Sequence, residues 1–154
     1  MLENRKVPHK VFLLPEEKLG ALEAARQMGV SPELVYKTIV VVREKPGKPI
    51  LAVIPGTHEV DLKALAQTVG EKKVHVPTEK EAEKITGLLA GGISPLALIN
   101  RGFQILVDIS VRQHEEIHIS GGQRGINIRL PVHSLIELAN ARIAQISKPE
   151  SIIS

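Results

Sequence analysis

Hydrophobic residues fall along this chain in short runs whose spacing alternates between the strand and helix periods. Lys10 to Leu14 has the make-up of a short strand, and Pro15 leads into Glu16, Glu17, Leu19, Leu22, Ala25 and Met28, whose spacing is helical. Gly29 fits the end of that helix, and Ser31-Pro32-Glu33 fits the start of a second, shorter one. The β-branched run Leu34 to Val42 reads as a buried strand. The polar segment Glu44 to Pro49 turns the chain, and Ile50 to Ile54 returns antiparallel to it. Asp61 to Val69 is amphipathic and closed by Gly70, and Val74 to Val76 is a short strand. Thr78 with Glu81 forms a capping box for a helix that runs to Thr86 and stops at Gly87. A loop-like stretch, Leu88 to Pro95, precedes strand candidates at Ile105 to Ile109, Glu116 to Ser120 and Gly125 to Leu130, then a helix from near Pro131 to near Asn140. Weak periodicity assigns no element to 141–154. The pattern predicts an α+β domain over 1–140 with a C-terminal tail, its mixed and largely antiparallel sheet curled toward a barrel.

One residue interrupts this pattern. Lys37 lies inside the apolar run, and strand alternation puts it on the face of Val35, Ile39 and Val41. Desolvating an unpartnered ammonium there costs several kcal/mol, so the lysine must reach out to water, find an anion or lose its proton. An edge-strand lysine that discourages aggregation is the plainer reading.

Composition narrows the chemistry. With 154 residues, 43% of them hydrophobic, the chain suits one domain with one core, and with aromatics at only 2% that core must be aliphatic. The base-stacking platforms of many single-strand nucleic-acid binders are therefore missing. A formal charge of +3 permits a polyanionic partner, although the basic residues are scattered. There is no cysteine, which removes disulfides, a thiolate nucleophile and Cys-based zinc sites; any thiol chemistry must come from a substrate. Met1 to Lys10 has no apolar signal region and no run is long enough to span a membrane, so a cytoplasmic location is expected.

Two glycine clusters free the backbone for close approach to a ligand. In Gly87 to Pro95, paired glycines let successive N–H groups form a concavity for a carbonyl oxygen or phosphate, although an ordinary helix-to-strand connection fits as well. Ser120 to Gly125 reads as a hairpin turn in which Arg124 offers a phosphate contact or is simply solvated. His114-Glu115-Glu116-Ile117-His118 matches the H-E-x-x-H zinc-hydrolase pattern, but that mechanism needs a helix. Here Ile117 and Ile119 alternate with polar residues before two glycines, as in a strand. Of the two aspartates, Asp61 suits a helix cap and Asp108 a strand-end turn, and neither a nucleophile elbow nor a Walker loop is present.

Taken together, four ordered segments resemble the YbaK family, free-standing relatives of the editing domain inserted in bacterial prolyl-tRNA synthetase. They are Val35 to Val41, Ala82 to Gly87, Gly91 to Leu96 and Ile119 to Gly125, and the likeness runs from about Val7 to Asn140. The resemblance implies a mixed, barrel-like sheet ringed by helices and hydrolysis of mischarged tRNA in trans, cysteinyl-tRNA(Pro) above all, without a cofactor or metal. It implies that Lys37, Gly91 and Gly92 are catalytic, with Thr38, Ile93, Ser94, Pro95, Ser120 and Gly121 binding substrate. It also implies that the substrate's own thiol attacks the ester, which agrees with a chain lacking cysteine. The expected partner is mischarged tRNA, with prolyl-tRNA synthetase a second candidate. Leu14 stands where relatives carry a tyrosine, and Asn127 where some carry an aspartate. Leu96 to Asn100 is similar to the alanyl-tRNA(Pro) branch, whereas Thr38 favours the cysteinyl branch. The alternatives are a deacylase of alanyl-tRNA(Pro) or another mischarged tRNA and, more distantly, a zinc hydrolase through His114 and His118 or a non-catalytic tRNA- or synthetase-binding module.

Overall fold

The computed structural model describes residues 7–17 and 20–150. Its strands are β1 (Lys10–Leu13), β2 (Tyr36–Arg43), β3 (Ile50–Pro55), β4 (His58–Val60), β5 (Val74–His75), β6 (Gln104–Asp108), β7 (Glu116–Ser120), β8 (Ile126–Pro131), β9 (Arg142–Ala144) and β10 (Ser147–Pro149). Its helices are α1 (Ala21–Met28), α2 (Leu62–Val69), α3 (Glu79–Thr86) and α4 (Val132–Ala139).

Local chemistry sets most helix ends. Gly29, Gly70 and Gly87 close α1, α2 and α3 in the left-handed conformation that spares glycine a Cβ clash. Asp61 Oδ1 accepts from Ala64 N–H at 3.1 Å, and Thr78 Oγ1 from Glu81 N–H at 3.2 Å, so two of the predicted N-caps form. The first helix begins later than its apolar spacing predicts. Glu16 and Glu17 lie in a bend, residues 18–19 fall outside the described residues, and Gly20 takes the extended N-cap position before Ala21.

The central sheet has the order β5-β2-β3-β6-β9. β2 and β3 pair antiparallel, with Lys37 opposite Ile54, while β6 runs parallel to both β3 and β9. Covered on both faces, β3 is buried throughout, and its continuous apolar sequence reflects that position. One core cluster, including Tyr36, Leu51, Val107, Leu130 and Leu135, fills the space between this sheet and the β1-β8-β7 sheet. The other, including Ile54, Leu65, Leu106 and Ile146, lies under α2 on the opposite face.

The fold is the expected α+β arrangement of mixed sheet and helices, and its sheets do not close into a complete barrel. Among the described residues there are three separate sheets, and the ladder that would close them is reduced to one bridge, Val35 to His118. On the same edge β5 pairs with β2 only at Val42 and Arg43. Between these two points the edge of β2 has no strand partner among the described residues.

Residues 142–149, where periodicity predicts nothing, are built into the fold. β9 extends the central sheet and β10 pairs with β4, while Ile146 between them is fully buried. Buried Asp108 holds this turn, its Oδ1 accepting from Ile146 N–H and its Oδ2 from Ser110 N–H. Strands of three residues carry too little alternation to be recognised without their partners. Among the described residues no helix is long and apolar enough to cross a membrane.

Candidate functional site

A cavity of about 530 Å³ opens along the unpartnered edge of β2. Its walls come from the start of α1, the edge residues Val35 to Val40, the β5–α3 connection, the first glycine loop, the strand ends at Ser120 and Ile126, and Glu150. An unpaired strand edge presents alternate N–H and C=O groups, so this wall offers backbone donors and acceptors as well as side chains.

Lys37 lies at the mouth. Its side chain is 31% exposed, and Nζ stands 3.1 Å from Glu150 Oε1, so the lysine both reaches water and finds an anion. Thr38, Gly91, Ile93 and Ser120 line the same cavity. The N–H groups of Gly91 and Ile93 have no protein acceptor among the described residues.

The remaining predicted residues do not line the cavity; they build its frame. Gly92 donates its N–H to Leu89 O at 2.8 Å and packs against the second glycine loop, where a Cβ would stand 2.8 Å from Gln123 Cα. Ser94 is fully buried, its Oγ accepting from Leu96 N–H, and Pro95 beside it is buried too. Gly121 passes so close to Ile126 that a Cβ would meet its side chain at 2.4 Å, and Ser120 Oγ accepts from Gly122 N–H. The two glycine loops are thus one packed unit.

Two side chains fasten that unit from a distance. Glu83 Oε2 accepts Ala90 N–H at 2.8 Å, and Arg124 Nε donates to Ala90 O at 2.6 Å. Both grip the residue before Gly91 from opposite sides of its peptide chain. Arg124, a phosphate ligand or solvated turn residue by sequence, is therefore a clamp. Glu83 lies within a family-like segment, but nothing in the spacing reveals its target seven residues away. Gly56 is a further unforeseen element, since a Cβ there would fall 2.0 Å from that of Ala21 and push α1 off the cavity wall. Glu150, from the segment without periodicity, is another.

The polar wall at Asn127 is tied to His118. Asn127 Oδ1 lies 3.1 Å from Nδ1 of the fully buried imidazole, and Phe12 packs beside it with ring centroids 5.2 Å apart. Burial holds the His118 pKa below its ordinary value, with the Asn127 contact acting the other way. Leu14 also lines the cavity, and Tyr36, the chain's single tyrosine, does not replace the hydroxyl that Leu14 lacks. Its OH pairs with Ser110 Oγ at 2.6 Å, and burial pushes its pKa up to about 12.

The H-E-x-x-H segment does not form the helix that zinc hydrolysis requires. His118 sits in β7 facing Asn127, whereas His114 precedes the strand against the edge of the Tyr36 ring. Among the described residues no three His, Asp or Glu side chains gather as metal ligands.

This geometry meets independent likenesses. The family profile described as the aminoacyl-tRNA editing domain matches residues 16–138. The chain is 37% identical over 152 residues to an Enterococcus faecalis protein provisionally named Cys-tRNA(Pro)/Cys-tRNA(Cys) deacylase EbsC, covering 97% of this chain and 92% of that one. It is 30% identical over 123 residues to a proline–tRNA ligase of Thermodesulfovibrio yellowstonii, covering 80% of this chain and 20% of the ligase. Among solved structures, a hypothetical protein superposes with a TM-score of 0.86 at 23% identity over 96% of each chain, a likeness of fold. A candidate trans-editing enzyme for prolyl-tRNA synthetase superposes at 0.81 with 27% identity, covering 96% of this chain and 92% of that one.

Proposed function

The chain belongs to the aminoacyl-tRNA editing domain family, and from that premise we propose that it hydrolyses mischarged aminoacyl-tRNA in trans, with cysteinyl-tRNA(Pro) its main substrate. The observation that carries this reading is the convergence of Lys37 and the Gly91 loop on one cavity beside an open strand edge. Support for the cysteinyl substrate comes from the Enterococcus relative's name and from Thr38 after the lysine. Prolyl-tRNA synthetase remains a proposed partner, suggested by the ligase that shares this domain, and a cytoplasmic site of action follows from such a substrate.

In this reading the terminal aminoacyl-adenosine enters the cavity with its phosphate at Lys37. The ammonium supplies fixed positive charge at the mouth, and the Gly91 and Ile93 N–H groups receive the ester carbonyl oxygen. Charge developing on that oxygen is then met by donors already in position. Thr38 and Ser120 hold the ribose and amino-acid ends. The substrate thiol forms a bond to the carbonyl carbon, the ribose oxygen leaves with a proton, and the resulting thiolactone is later opened by water. No protein nucleophile is needed, in keeping with a chain that has no cysteine.

The test is a deacylation panel on tRNA(Pro) charged with cysteine, alanine or proline. Cysteinyl-tRNA should be cleared fastest and prolyl-tRNA spared. Lys37→Ala should keep the fold yet lose at least a hundredfold in kcat/KM. A Lys37→Ala protein of normal activity would remove the lysine from the mechanism.

A further inference from the structure

Glu150 is the anion that Lys37 finds in the absence of substrate. Its carboxylate lies 3.1 Å from Nζ and lines the same cavity mouth. The residue is delivered there by a fixed backbone. Ile146 N–H is held by Asp108 Oδ1, β10 pairs with β4 as far as Pro149 opposite His58, and Glu150 N–H donates to Thr57 O at 3.4 Å. The side chain itself is 56% exposed.

The aminoacyl end of a charged tRNA also carries one charge of each sign, a phosphate and the α-ammonium of the amino acid. If the phosphate takes Lys37, Glu150 loses its partner beside an arriving anion. An α-ammonium in the cavity restores the balance, because both charges of the separated pair are then matched. A substrate without that ammonium leaves the carboxylate unpaired next to a phosphate.

We propose that Glu150 is a specificity residue that receives the substrate's α-ammonium when the phosphate displaces it from Lys37. The inference rests on the deacylase reading above and extends it to a group outside the predicted motifs. It makes the ion pair of the free protein a placeholder for a substrate of opposite paired charges.

The experiment compares cysteinyl-tRNA(Pro) with 3-mercaptopropionyl-tRNA(Pro), which keeps the thiol and the ester, deletes the amine and adds no bulk. Rates are divided by the spontaneous hydrolysis of each ester. The kcat/KM preference of the wild type for the cysteinyl ester should shrink roughly two- to fivefold in Glu150→Gln, the size appropriate to a half-exposed charge contact. Glu150→Asp, which keeps the charge on a shorter stem, should fall between. An equal preference in wild type and Glu150→Gln, both active and with matching melting temperatures, would overturn the role of Glu150 and leave the deacylase reading standing. Failure of the wild type to hydrolyse either ester would overturn both.

Discussion

Replacing Gly92 by alanine puts a methyl group where the second glycine loop already is. The new Cβ would lie 2.8 Å from Gln123 Cα and 2.9 Å from both Gln123 C and Arg124 N, all backbone atoms that no rotamer can move. Ordinary contact starts near 3.4 Å, so the loops must part by about 0.6 Å. Gly92 is not among the residues with positive φ, so the penalty is steric and not conformational. Overpacking of this kind costs about 1–3 kcal/mol. The displacement also reaches the cavity, because Arg124 grips Ala90 O and Gly92 N–H grips Leu89 O on either side of Gly91. A shift of about 1 Å at reacting groups costs on the order of a hundredfold in rate, so a loss of roughly tenfold or more is expected here. Urea unfolding and deacylation kinetics measure the two effects. Gly102→Ala is the control, since Gly102 has φ of 86° with nothing within 4 Å of its would-be Cβ and lies outside the cavity lining. It should lose about 1 kcal/mol from backbone strain and keep its activity. A Gly92→Ala protein within about 0.5 kcal/mol of wild type and fully active would refute the packed-loop account.

Two further outcomes concern pH. Because burial depresses the His118 pKa in the folded state, the stability gained from keeping it neutral is in place above about pH 6.5 and is lost as pH falls through the folded value. Urea midpoints measured from pH 7.5 down to 5 should therefore drop in the wild type, by at most about 1.4 kcal/mol per pH unit for this one proton. His118→Gln should show a flatter acid limb, and an unchanged slope would mean that the imidazole titrates normally. For Tyr36 the sign is opposite. With its pKa raised to about 12, the folded protein favours the neutral phenol, so stability holds below pH 10 and falls as pH rises toward 12. As the chain has one tyrosine, its phenolate absorbance can be titrated directly; a midpoint near 10 would contradict the buried pairing with Ser110.

What could be read from the sequence was what neighbours in the chain decide. Helix ends at Gly29, Asp61, Thr78 and Gly87 depend on residues within one turn, and all formed as the local signals predict. The antiparallel pairing of β2 with β3 follows from two apolar runs and a polar turn. The Glu83–Ala90 bond, the Arg124–Ala90 clamp and the Lys37–Glu150 pair join residues 7, 34 and 113 positions apart, and nothing in their spacing announces them. The family resemblance had a different limit. It marks a segment such as Gly91 to Pro95 as a unit, whereas the fold turns Gly91 and Ile93 to the cavity and uses Gly92, Ser94 and Pro95 to hold them there. A contiguous motif thus contains both the groups that face a ligand and the groups that place them.

The open edge of the central sheet and the presence of a cavity have one cause. Closing the sheets would require β7 to pair along β2, and each such bond would consume a backbone group of the edge from Lys37 to Val41. The fold stops that pairing at Val35, and β5 meets the same edge only at Val42. The open stretch between them is where Lys37 sits. An unpaired edge is ordinarily a liability for aggregation, and a lysine on it is one of the usual deterrents. Here the edge is walled by the start of α1 and the glycine loop, so intermolecular pairing is obstructed by more than charge. The plainer reading of Lys37, a guard on an exposed strand, therefore leaves unexplained why a carboxylate from 113 residues away is brought to meet it. Replacement by arginine separates the two readings. It preserves a deterrent charge but changes the shape of the donor, so deacylation should fall while solubility holds.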